Sequence, residues 1–131
     1  MLDQYKQVGE EVGSGALFSF DGRIDTGTFW RIALLNFLGV VIGGVATASM
    51  YHGGSRSGMS WVASSVVYGV GLWLGAATQA KRWHDMDKSG WMALLQFVPG
   101  VNFIAFLYLG FSQGTRGPNR YGEAPLRVKL L

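Results

Sequence analysis

Three stretches of this chain, residues 32–51, 59–80 and 90–112, contain no Asp, Glu, Lys, Arg or His. A helix rises ~1.5 Å per residue, so roughly 20 apolar residues cross a hydrocarbon core ~30 Å thick, and each stretch reaches that length. Backbone placed in lipid must satisfy its own hydrogen bonds, so the pattern predicts an all-α integral membrane protein with three hydrophobic membrane segments. In a chain of 131 residues this leaves room for one domain with short polar accessories. The expected organisation is an interfacial amino-terminal segment at 1–26, helices at 27–51, 59–84 and 89–112, and an irregular tail at 113–131.

The polar amino end, with Asp3, Glu10 and Glu11, does not suit a cleaved signal peptide and is expected to stay in the mature protein. Within it, Leu2, Tyr5, Val8 and Val12 recur at spacings of three and four, as in a short amphipathic helix on a membrane surface or partner. Gly13-Ser14-Gly15 breaks that helix, and Phe18 and Phe20 are expected at the interface before the Asp21-Gly22 turn. Asp25 or Thr26 can cap the first spanning helix, since a side-chain oxygen there accepts from an unpaired first-turn amide. Trp30 and Arg31 then belong at headgroup level.

Small residues are spaced for close helix contact at Gly39 and Gly43, Ser65 and Gly69, and Gly71 and Gly75. Asn36, Ser64, Tyr68, Thr78 and Gln96 are the polar side chains expected to seek partners between helices, each worth ~0.6 kcal/mol.

Pro99-Gly100 interrupts the third stretch and leaves two topologies open. In a kinked but continuous span, Lys and Arg divide six against five across the membrane. In a re-entrant hairpin they divide ten against one, with only Arg56 on the far side. The positive-inside rule favours the hairpin. The rule that non-helical backbone at membrane depth needs protein or water around it favours the kinked span.

Three polar clusters flank the apolar segments. They are Phe20-Asp21-Gly22-Arg23 with Phe29-Trp30-Arg31, then Lys81-Arg82-Trp83-His84-Asp85 through Ser89-Gly90-Trp91, then Gly114-Thr115-Arg116-Gly117-Pro118-Asn119-Arg120-Tyr121-Gly122. Read together and in this order, they resemble the domain-of-unknown-function 805 family of small bacterial inner-membrane proteins, over roughly residues 18–125. Lys81 stands where the first arginine of a pair is usual, and Thr28 where a charged residue is common. The resemblance implies a multi-pass protein of the bacterial inner (cytoplasmic) membrane with cytoplasm-facing motifs. It implies no agreed activity.

Cysteine is absent, which excludes disulfides, thiolate chemistry and metal sites built on cysteine. Arg82, His84, Asp85 and Asp87 contain the ingredients of a proton relay or metal site, but His84 at a helix carboxyl end and an aspartate paired with an arginine are ordinary structural features. The other histidine, His52, falls in the first loop on the opposite side. No ionisable group lies within a span, which disfavours a pump. We therefore expect no catalytic residue, metal or cofactor.

A net charge of +3 suits anionic lipid headgroups, at ~1 kcal/mol per basic residue near the surface, and the dispersed basic residues do not form a nucleic-acid stripe. The expected lipid- or partner-contacting set is Arg23, Phe29, Trp30, Arg31, Arg82, His84, Asp85, Ser89, Trp91, Asn119, Arg120 and Tyr121. The leading functional expectation is a small non-catalytic accessory, assembly or stabilising subunit of a larger respiratory, photosynthetic or transport complex. A homo-oligomeric channel or small-solute transporter is the alternative. A lipid-headgroup enzyme using His84 and Asp85 has the least support.

Overall fold

The computed structural model describes Leu2 and residues 17–52 and 58–125. Among them the chain is helical without strands: α1 spans Thr26–His52, α2 spans Gly58–Asp85, a 3-10 helix spans Gly90–Phe97, and α3 spans Val101–Phe111. The expected amphipathic helix near the amino terminus, the loop at 53–57 and the last residues of the tail lie outside the described residues.

Helix α1 begins where Asp25 accepts from the amides of Gly27 (3.2 Å) and Thr28 (3.1 Å), so Asp25 is its cap. From there α1 and α2 are each long and apolar enough to cross a membrane. Their outer faces carry exposed Leu34, Leu35, Ile42, Val45, Val62 and Val66, as expected of helices whose solvent is lipid.

The two helices form the most extensive pairing in the molecule, and glycine permits it. A Cβ at Gly43 would lie 2.7 Å from Val67 Cγ1, and one at Gly71 would lie 2.5 Å from Val40 Cγ2. Asn36 Nδ2 donates across this contact to the Gly71 carbonyl at 3.1 Å. Gly75 faces Gln96 and Asn36. Gly39 and Gly69 have open space beside them and Ser65 is exposed, so these three do not take part in the close contact.

The interhelical role expected of Ser64 and Thr78 is also corrected. Their hydroxyls donate to the carbonyls of Ser60 and Leu74 one turn back in the same helix, at 2.9 and 2.7 Å. Gln96 does find a neighbour, accepting from Gln79 Nε2 at 3.2 Å.

The third apolar stretch does not form a third long helix. The 3-10 helix starts beside the carboxyl end of α2, where a Cβ at Gly90 would meet His84 Nε2 and the Ala80 Cβ. At Pro99-Gly100 the chain reverses, helped by Gly100 at φ +80°, which only glycine adopts readily. Helix α3 then returns to the same end, where the Gly110 carbonyl accepts from Trp30 Nε1 at 2.9 Å. A Cβ at Gly110 would sit 2.5 Å from that indole, so glycine is required here as well.

The buried core lies at this end of the bundle, with Phe29, Ala80, Trp83, Ala93, Ala105 and Leu109 in contact. The segment just before α1 lies against the helix pair. The Phe18 carbonyl accepts from Trp73 Nε1 at 3.0 Å and the Phe20 ring meets the Trp73 indole edge to face at 5.1 Å, which places this segment against the middle of α2.

Candidate functional site

Helix α2 ends in a Schellman arrangement. Asp87 takes a left-handed conformation (φ 57°), the amide of Lys88 donates to the Trp83 carbonyl at 2.9 Å, and that of Asp87 to the His84 carbonyl at 3.0 Å. Aspartate tolerates this conformation better than most residues. The turn leaves Lys81, Arg82, His84 and Asp85 buried in the last turns of α2.

Asp85 sits between two guanidinium groups. Arg23 donates to Asp85 Oδ1 through Nε (3.2 Å) and Nη2 (3.0 Å), and Arg82 Nη1 pairs with Asp85 Oδ2. The remaining donors are also consumed by the protein. Arg23 Nη1 reaches the carbonyls of Gly117 (2.8 Å) and Gly122 (3.1 Å), and its Nη2 that of Thr115 (2.8 Å). Arg82 Nε donates to the Leu109 carbonyl (2.9 Å), Nη1 makes a long contact to Ile24 O (3.5 Å), and Nη2 engages Thr26 Oγ1 (2.7 Å) and the Ser112 carbonyl. Each guanidinium has five N–H donors, and all ten are thereby engaged.

Two buried cations share one carboxylate here, which is tolerable because their other donors meet uncharged acceptors, mostly backbone carbonyls, two of them at a helix carboxyl end. Leu109 and Ser112 close α3, where the helix dipole presents partial negative charge. The tail is drawn in by the same groups. The Thr115 amide donates to the Asp85 carbonyl at 2.7 Å, and a Cβ at Gly114 would collide with the Asp85 carboxylate. Arg23, Arg82 and Asp85 therefore form an internal latch, and their donors are not available to lipid phosphates or a partner's carboxylates as the sequence suggested.

A second layer covers the latch. His84 Nδ1 lies 3.1 Å from the Gly22 carbonyl, which can only accept, so Nδ1 carries the proton. Its ring stacks on Tyr121 at 3.8 Å and 9°. Asn119 Nδ2 donates to the His84 carbonyl (2.8 Å), and its Oδ1 accepts from the Tyr121 amide (2.9 Å). Outside this layer Arg120 Nε donates to Asp87 Oδ1 at 3.1 Å on the exposed surface. That hydrogen bond holds the Asp87 carboxyl below its ordinary value and raises Arg120 above its own.

Of the remaining contact candidates, Phe29 is core, and Trp30 is partly exposed and tied to Gly110. Arg31, Ser89 and Trp91 are exposed, with Ser89 Oγ accepting from the Trp91 amide at the start of the 3-10 helix. Gly110 is a part of the site that the sequence did not single out, and Thr26, read there as a possible helix cap, instead engages Arg82. The signal for Gly110 is a glycine near the end of an apolar stretch, which the spacing of small residues did not capture. Among the described residues no three His, Cys, Asp or Glu side chains gather as a metal cluster would require.

The family described as "Protein of unknown function (DUF805)" matches residues 17–123, which include all parts of this latch. The inner membrane protein YhaH of Escherichia coli K12 is 30% identical over 107 residues, covering 81% of this chain and 86% of its own length. Inner membrane protein YhaI of the same strain is 32% identical over 107 residues, covering 81% and 85%. Uncharacterized protein YiiR of that strain is 30% identical, covering 86% and 90%. No solved structure matches the chain.

Proposed function

Because this chain belongs to the DUF805 family of proteins of unknown function, and its relatives include inner-membrane proteins, we propose that it is a multi-pass inner-membrane protein acting as a non-catalytic accessory or assembly subunit. The single observation that carries the subunit reading is the uncovered tip of the hairpin.

The 3-10 helix Gly90–Phe97, at ~2.0 Å per residue, is about 16 Å long, and α3 Val101–Phe111, at ~1.5 Å per residue, is about the same. Both arms hang from the latch end, so their turn reaches about half of a ~30 Å hydrocarbon core. There Val98, Pro99, Gly100 and Asn102 are exposed. Asn102 Oδ1 accepts from the Phe103 amide at 2.7 Å, and nothing among the described residues bonds its Nδ2. Irregular backbone and an open amide at such depth are tolerated where protein or a water-filled cavity surrounds them. A partner helix packed on the tip supplies that cover.

The latch also supports a non-catalytic role, since its charged groups are saturated internally. Arg23, Arg31, Lys81, Arg82, Lys88, Arg116 and Arg120 all belong to the latch end, and the positive-inside rule sets that end in the cytoplasm.

The test is photo-crosslinking from position 102 in native membranes, followed by mild-detergent recovery and mass spectrometry. Crosslinks to one larger membrane protein, recovered in fixed stoichiometry, are expected. Crosslinks only between copies of this chain in a closed oligomer would replace this reading with the channel or transporter, and crosslinks to lipid alone would refute a protein cover.

A further inference from the structure

A second feature of the latch end has no part in the subunit reading. A groove of about 840 Å³ runs along α2 between the 18–22 segment and the 3-10 helix, within the ~300–1,000 Å³ range of ligand pockets. Its stem is apolar, lined by Leu72, Trp73, Leu94 and Phe97, and these side chains are about half exposed, so the groove opens toward lipid.

The polar residues Asp21, His84, Ser89 and Tyr121 lie at its mouth. His84 lines the groove, and its residue surface is 9% exposed. Because Nδ1 donates to the Gly22 carbonyl, Nε2 of the neutral ring carries a lone pair. No group among the described residues bonds Nε2. Stacking on Tyr121 fixes the ring plane, and the missing side chain of Gly90 leaves room for Nε2, since a Cβ there would lie 2.6 Å from it. Asp21 lines the same mouth. A buried, oriented acceptor above an apolar slot calls for a molecule with a donor at one end and a hydrocarbon chain at the other.

We propose that this groove binds one amphiphile, with its acyl chain along Leu72, Trp73, Leu94 and Phe97 and a hydrogen-bond donor of its head, a hydroxyl or an ammonium, on His84 Nε2. Net charge on the head is not the selected property. A choline head, which has neither N–H nor O–H, is disfavoured.

The test uses the full-length protein in mild detergent and native mass spectrometry with three uncharged or zwitterionic lipids of identical acyl chains: diacylglycerol, phosphatidylethanolamine and phosphatidylcholine. Retention of at least one donor-bearing lipid about tenfold over phosphatidylcholine is expected, which corresponds to about 1.4 kcal/mol, the size of one hydrogen bond. Selection of diacylglycerol identifies a hydroxyl, selection of phosphatidylethanolamine an ammonium, and selection of both the shared donor.

His84→Asn retains a donor for the Gly22 carbonyl and removes the Nε2 acceptor, so the preference should fall to within about twofold with an unchanged circular dichroism spectrum. Leu94→Trp fills the stem without touching His84 and should abolish retention of all three lipids. Equal retention of the three lipids by the wild type overturns the proposal. So does a preference that survives both variants.

Discussion

Replacing Asp85 by Asn tests whether the latch holds the fold. The carboxylate is 5% exposed and accepts from both Arg23 and Arg82, whose side chains are 1% and 0% exposed. Asparagine has nearly the same volume, but one of its two terminal atoms becomes an N–H donor aimed at a guanidinium, and the only buried negative charge among these three groups is lost. Removing one partner from a buried ion pair typically costs ~3–5 kcal/mol, because the remaining charge stays desolvated. The carbonyls on the other donors do not replace the carboxylate, so Asp85→Asn should fall in that range. Arg23→Gln should cost less, since it leaves one guanidinium facing one carboxylate. Equilibrium unfolding in mixed micelles, followed by circular dichroism, gives both values. Asp87→Asn, in the exposed pair with Arg120, serves as the control with no measurable change. An Asp85→Asn protein within about 1 kcal/mol of wild type would refute the reasoning, as would a larger loss from Arg23→Gln.

The remaining predictions concern packing, pH and topology. Gly71→Ala should destabilise by about 1–3 kcal/mol, because its Cβ meets Val40 Cγ2 at 2.5 Å, whereas Gly39→Ala, with open space, should be neutral or stabilising by up to about 1 kcal/mol in the same unfolding assay. The carboxyl of Asp87 is held below its ordinary 3.8, so the stabilisation it gives the tail is fully present above that value and is lost as pH falls through the lower folded-state value. Hydrogen exchange at the Arg120 amide should accelerate, beyond its intrinsic pH dependence, only in that acid range. Since the chain has no cysteine, single-cysteine labelling is unambiguous. Lys88→Cys and Glu123→Cys should label from the same side of the membrane and Ser55→Cys from the other, and opposite labelling of positions 88 and 123 would exclude the hairpin.

The two long helices were legible because charge is missing from residues 32–51 and 59–80, which make up most of their length, and a span is defined by what lipid excludes. The Asp25 cap was legible for a local reason as well, since its partners lie two and three residues away. Charge counting also pointed to the hairpin, although the proline alone allowed either topology. The latch was legible only as a set of motifs. Arg23 and Asp85 are 62 residues apart, and no periodicity states that they meet. The motifs were therefore assigned outward, to lipid or partner, when their polar atoms are directed at one another. Small-residue spacing had the same weakness. It found Gly43, Gly71 and Gly75, which do face a neighbour, together with Gly39 and Gly69, which do not, because spacing identifies a face without saying what lies against it. Ser64 and Thr78 were misread because a carbonyl one turn back competes with any partner across the helix pair.

The hairpin and the buried arginines are one device. Arg82 lies in the last turn of α2 and needs acceptors from Leu109 and Ser112 at the carboxyl end of α3. Arg23, just before α1, needs Thr115, Gly117 and Gly122 in the tail that follows. A third segment crossing the membrane continuously would carry Ser112 and the tail to the far side, ~30 Å from these groups. Two desolvated guanidiniums would then share one carboxylate with few other acceptors, a loss of the kind that unfolds buried ion pairs. Reversal at Pro99-Gly100 brings two helix carboxyl ends and the tail carbonyls to the same place, so the surplus positive charge is met by backbone dipoles instead of by a second acid. In the proposed membrane arrangement the turn then lies at half-membrane depth, and the need to cover it follows from the same topology that satisfies the arginines.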